Sequence, residues 1–173
     1  LTYMAGASHG DFGDSLKQRG RTVMDIITMK FPVSARVGGV SVLVALLLGV
    51  PLGCIAALKR GKFLDNLISV VSTCGIAVPS FVICTLLLYF FGVRLQILPT
   101  MGLTSWKHYV MPVMALAFYP TAYIMRLMRS SMLDVLGQDY MRTAKAKGLA
   151  GGKILFKHAL RNAILPVITY VGP

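Results

Sequence analysis

Three long runs without a single charged residue constrain this chain more than any other feature. Val37 to Leu58 gives 22 uncharged residues, Leu67 to Val93 gives 27 and Tyr109 to Met125 gives 17. A helix needs roughly 17–25 mostly apolar residues to cross about 30 Å of hydrocarbon, so each run reads as a membrane span. A strand reading fails, because the runs are long and lack period-two alternation. The expected fold class is an all-α integral membrane protein, a polytopic helical bundle. A further apolar run starts at Ala163 and reaches Pro173, eleven residues on. That is too short to span and reads as the start of a fourth helix. Leu1 is not a Met and no signal-peptide pattern follows it, so the chain reads as a fragment with three full spans.

Charge supports the same picture. Only 14% of residues are charged, against about 25% in ordinary soluble domains, so little polar surface exists to cover a globule in water. The net charge of +12 comes from 18 Lys and Arg against 6 Asp and no Glu. Such a balance on a soluble chain would suggest nucleic acid. Here the charges sit in short links between the apolar runs, the pattern of a membrane protein, and no nucleic-acid partner is expected. Cys54, Cys74 and Cys84 lie inside apolar runs at spacings that match no metal or redox motif, so they read as small packing residues.

Lys and Arg in the links orient the spans. The link from Lys59 to Asn66 carries three bases in eight residues, that from Arg94 to His108 two in fifteen, and that from Arg126 to Asn162 eight. Dense, sparse, dense is what three antiparallel spans require, which places the first and third links in the cytoplasm. Residues 1–32 then form an extracytoplasmic segment leading into the first span, and 33–173 the membrane domain. Pro51, Pro79, Pro112, Pro120 and Pro166 mark kinks, since neighbouring helices in a bundle can satisfy the carbonyls a proline frees. Ala45, Gly49 and Gly53 form a small-residue face suited to close helix packing.

The third link, 126–162, has more structure than a connection needs. Met128, Met132, Leu136, Tyr140 and Ala144 fall four apart, so the third span is expected to continue as an amphipathic helix below the membrane, interrupted at Gly137. A short helix from about Asp139 to Lys147 follows, with Asp139 placed to cap its N-terminus and Gly148 to end it in the left-handed conformation. Gly151 and Gly152 form a second break. Lys153, Lys157 and Arg161 then share one helix face. Taken without further information, the loop is a solvated turn whose cations lie near anionic lipid headgroups.

Arg142-Thr143-Ala144, three residues, then Gly148 resembles the cytoplasmic signature of ABC importer membrane subunits, whose general form is Glu-Ala-Ala, three residues, Gly, nine residues, Ile-x-Leu-Pro. The string from Gly137 to Leu149, and His158-Ala159-Leu160-Arg161-Asn162-Ala163-Ile164-Leu165-Pro166, look like the dipeptide, oligopeptide and nickel version. Arg142 in place of Glu, and Leu165-Pro166 five residues beyond the usual Leu-Pro spacing, fit that version. Gly10-Asp11-Phe12-Gly13 with Ser15 resembles the family's external segment, and Val78-Pro79-Ser80-Phe81 and Lys59-Arg60-Gly61 do so more loosely.

The resemblance implies a type I ABC importer permease for small peptides, with nickel or glutathione as sibling substrates. Its partners would be cytoplasmic ATPase subunits, a second related permease subunit in a homo- or heterodimer, and an extracytoplasmic substrate-binding protein. The helix around Tyr140 to Leu149 would be the coupling helix that docks on the ATPase. Asp139, Tyr140, Arg142, Thr143, Ala144, Lys145, Ala146, Lys147 and Gly148 are the candidate coupling residues, with Lys153, Lys157 and Arg161 on the helix that follows. Ala144 and Ala146 would permit close approach, and Arg142, Lys145 and Lys147 would meet carboxylates.

No catalytic set is visible: His9, His108 and His158 lie in separate segments, and no Glu is present to pair with Asp. Gly148 to Lys153 fails as a phosphate loop, because Lys147 stands where its first Gly would be and Ile154 follows the Lys. ATP and Mg would be held by the partner ATPase, with no cofactor on this chain. A secondary transporter or channel is the competing class. It would usually show intramembrane acids, and none of the three runs contains one.

Overall fold

A computed structural model describes residues 12–18, 20–102 and 104–172, with Lys145 described in its backbone only. The chain divides into two compact units after Gly39. In the first, Asp14 and Thr22 form an isolated antiparallel bridge, and the Val23 amide donates to the Gly13 carbonyl at 3.0 Å. Thr22 starts the first helix through a reciprocal cap. Its Oγ1 accepts from the Asp25 amide at 3.1 Å, and the Asp25 carboxylate accepts from the Thr22 amide at 3.2 Å. This pairing satisfies two amides that a helix start leaves open. Gly10 and Asp11 lie outside the described residues.

Helix α1 therefore spans Val23–Leu58. It begins well before the uncharged run, inside the segment expected to precede the first span. Pro32 lies within it, although an interior proline costs a helix one hydrogen bond and a clash with the preceding turn. After a turn at Gly61, whose φ is +73°, α2 runs Phe63–Ala77 and α3 Ser80–Leu87, the latter continuing as a π-helical stretch, π1, Leu88–Arg94.

The second apolar run is broken at Pro79, one of the prolines expected to mark a kink. It is two helices bent by 99° at Val78–Pro79. Val78 has φ −84° and ψ 122°, the extended conformation that a following proline ring forces on the residue before it. Helix α4, Lys107–Leu136, passes through Pro112 and Pro120 without breaking. Among the described residues two helices, α1 and α4, are long and apolar enough to cross a membrane, and the bent pair makes a third if counted as one span.

Close approach fixes the packing around α4. A Cβ on Gly49 would lie 2.7 Å from Ile124 Cγ2, and one on Gly53 only 2.6 Å from the Met125 carbonyl oxygen. Gly75 meets Ala122 in the same way, at 2.7 Å, from the α2 side. The small-residue face of α1 thus has a defined partner. Ser41 adds a buried hydrogen bond to the Val113 carbonyl, at 3.3 Å.

Candidate functional site

Beyond α4 the chain folds back on the end of that helix. Helix α5 spans Asp139–Ala146, followed by α6 (Gly151–Lys153), a π-helical stretch π2 (Ile154–Leu160), α7 (Arg161–Ala163) and α8 (Leu165–Val171). Asp139 is the first residue of α5 rather than the residue before it. Gly148 follows with φ +72°, and nothing lies within 4 Å of a Cβ placed there. Glycine is needed at that position for its backbone conformation, since the space is open.

Helix α5 has an inner and an outer side. Met141 is fully buried and Ala144 nearly so, in one apolar cluster with Met128 and Met132 of α4, Ile154 and Ala159 of π2, Ala163 and Val167. Ala144 therefore packs against this chain's own core, and its small size serves that contact. Tyr140, Arg142, Thr143, Ala146, Lys147 and Gly148 are exposed. Arg142 reaches toward Asp139 at 3.7 Å, but both side chains are more than 80% exposed, so water weakens the attraction. Thr143 Oγ1 donates back to the Asp139 carbonyl at 3.1 Å. Asn162 Nδ2 donates to the Tyr140 hydroxyl at 2.9 Å and ties α5 to α7 across 22 residues. Lys153, Lys157 and Arg161 are all exposed, so the short elements from α6 to α7 carry a basic surface beside α5.

On α4, between Met128 and Met132, Arg129 makes an ion pair that the sequence reading missed. Arg129 of α4 donates through Nε to Asp65 Oδ1 at 2.5 Å and through Nη2 to Oδ2 at 2.8 Å. Asp65 Oδ2 also accepts from the Gly61 amide at 2.9 Å. The Asp65 side chain is only 3% exposed and that of Arg129 30%. Such a two-point bridge is directional as well as attractive. It joins the first and third links, and so places them at the same end of the bundle, as the charge alternation requires. Asp65 sits in the first turn of α2, two residues before the uncharged run, and it is fully paired. One signal pointed to it, since Asp65 is the single acid among the three bases of its link.

A family model described as "Binding-protein-dependent transport system inner membrane component" matches residues 49–173. The dipeptide transport system permease protein DppB of Bacillus subtilis is 49% identical over 172 residues, 99% of this chain and 56% of that protein. The oligopeptide transport system permease protein OppB of Salmonella typhimurium is 41% identical over 175 residues, all of this chain and 57% of that protein. The glutathione transport system permease protein GsiC of Escherichia coli O1:K1 is 40% identical over 170 residues, 98% of this chain and 55% of that protein. The chain spans a little over half the length of these relatives.

Proposed function

The chain belongs to the family of binding-protein-dependent transport system inner membrane components, and from that premise we propose that it is a permease subunit of an ATP-driven importer of small peptides. It is a multi-pass protein of the cytoplasmic membrane. Its work is movement, with ATP and Mg bound and hydrolysed by separate cytoplasmic ATPase subunits. A second related permease subunit and an extracytoplasmic binding protein complete the assembly. A secondary carrier or channel is disfavoured by the similarity to peptide permeases.

One observation carries the coupling part of this reading. Helix α5 packs on π2 and places Met141 and Ala144 in the apolar cluster that holds Met128 and Met132 of α4, while Arg142, Thr143, Ala146 and Lys147 are exposed. The outward side is short and basic, suited to a groove on a partner that carries carboxylates. A push on α5 meets Met128 and Met132, which belong to the spanning helix itself. Asp65 and Arg129 then carry the displacement from α4 to α2. Closely packed interiors transmit such shifts because they have little room to absorb them.

Co-purification from native membranes tests the assembly. The expected result is an ATPase and a second permease recovered with this subunit, and ATP-dependent uptake of labelled di- and oligopeptides lost on deletion of its gene. Recovery of the subunit without any ATPase would overturn the reading.

A further inference from the structure

Exposed side chains around α4 are of two kinds. Met114, Leu116 and Phe118 are apolar, as are Leu43 and Leu47 on α1 and Val70 and Val71 on α2. Faces of that kind suit lipid. A second strip differs: Tyr119, Tyr123, Arg126 and Ser130 follow one another at steps of four, three and four, so they share one side of the helix. Helix α8 extends the strip sideways. Tyr170 stacks on Tyr123 with ring centroids 4.5 Å apart and planes at 28°, and Tyr119 and Tyr123 lie 6.3 Å apart at 22°.

Depth makes this strip informative. Tyr119 lies twelve residues into α4, about 18 Å along the helix, which is well inside a 30 Å hydrocarbon layer. Tyr119 is 41% exposed and Tyr170 37%, and no hydrogen-bond partner for any of the three phenol hydroxyls is found among the described residues. A hydroxyl facing lipid without a partner loses its hydrogen bonds to water and gains none. Polar side chains at this depth turn toward water or protein.

We propose that Tyr119, Tyr123 and Tyr170 line a water-accessible passage and form a contact site for the main chain of a short peptide in transit. This inference rests on the peptide-importer reading. Flat rings offer apolar contact, and each hydroxyl both donates to a peptide carbonyl and accepts from a peptide amide. No fixed charge stands on the strip before Arg126, so recognition is of the backbone shared by all peptides rather than of any side chain.

The test uses the assembled importer in proteoliposomes, with Cys54, Cys74 and Cys84 replaced by Ser. Tyr119→Cys, Tyr170→Cys and, as a lipid-facing control, Leu47→Cys are exposed to a membrane-impermeant methanethiosulfonate reagent. The expected result is fast labelling at 119 and 170, slowed by trialanine, and slow labelling at 47. The triple Tyr→Phe variant, which keeps the rings, should assemble and hydrolyse ATP but lose about tenfold in trialanine uptake, the size expected for one or two lost hydrogen bonds. Labelling at 119 and 170 as slow as at 47, in a complex that imports trialanine, overturns the strip alone. So does wild-type uptake by the triple variant. Fast labelling that no peptide slows, in a complex that imports none, overturns the peptide reading instead.

Discussion

Helix α4 meets its neighbours in two different ways along its length. Within the membrane it is touched by Gly49 and Gly53 of α1 and Gly75 of α2, where backbone and side chain approach so closely that even a methyl group has no room. Below the membrane its Met128 and Met132 join Met141 of α5 and Ile154 and Ala159 of π2 in one apolar cluster, the three methionines fully buried. Glycine contacts work by shape alone and tolerate nothing added. Methionine contacts are filled by an unbranched, adaptable side chain that can repack. The first kind makes a rigid wall, and the second a joint that stays filled while its two sides shift. The coupling role proposed for α5 would use both, in that order along the helix.

Substitutions can break or sharpen this contrast. The largest effect is expected for Gly53→Leu, which drives a side chain into the Met125 carbonyl and Met128 Cβ and should cost more than about 3 kcal/mol. Thermal unfolding in detergent should show it as a large fall in melting temperature. Met141→Ala comes next, at about 2–3 kcal/mol from the cavity left behind, whereas Met141→Leu keeps the volume and should cost less than about 1.5 kcal/mol. If the leucine variant proves as damaging as Gly53→Leu, the adaptable joint is no such thing.

A smaller effect is expected for Tyr140→Phe. It removes the hydrogen bond from Asn162 and should cost about 1 kcal/mol, with peptide uptake falling more than melting temperature because α5 is less firmly held. Arg142→Ala should leave stability unchanged, given how exposed its contact with Asp139 is. Its effect belongs to the partner, and a binding assay with the ATPase subunit should show weaker association. An unchanged affinity there would move the docking surface away from this side of α5.

Much of the architecture was legible because it follows from local composition. The uncharged runs marked the membrane segments, and the glycine at 148 marked the end of α5 because only that residue enters the left-handed region without cost. What escaped depended on contacts distant in sequence or on a single bond. The start of α1 at Val23 turns on one Thr22–Asp25 pairing, which no hydropathy pattern records. Pro79 marked a kink in the second apolar run, but composition does not register direction, so the 99° turn was not legible. Asp65 and Arg129 stand 64 residues apart, so their pairing appears only once the bundle closes. Ala144 had the right identity for a docking helix, but it lies in the apolar cluster with Met132 and Ile154, residues remote from it in sequence or on other elements.

The bend at Val78–Pro79 has an electrical side. With fifteen residues, α2 climbs about 22 Å before the turn, so the break falls inside the hydrocarbon. Peptide groups there no longer lie in an unbroken helical ladder, and bare ones cannot be left against acyl chains. Leu116, Tyr119 and Pro120 of α4 line a cleft with Val78 and Pro79 and shield that stretch from one side. The bend therefore behaves like a join in an insulated wire. It must be sheathed by neighbouring protein or bathed in water, and it fixes which flank of the subunit can never be left to lipid.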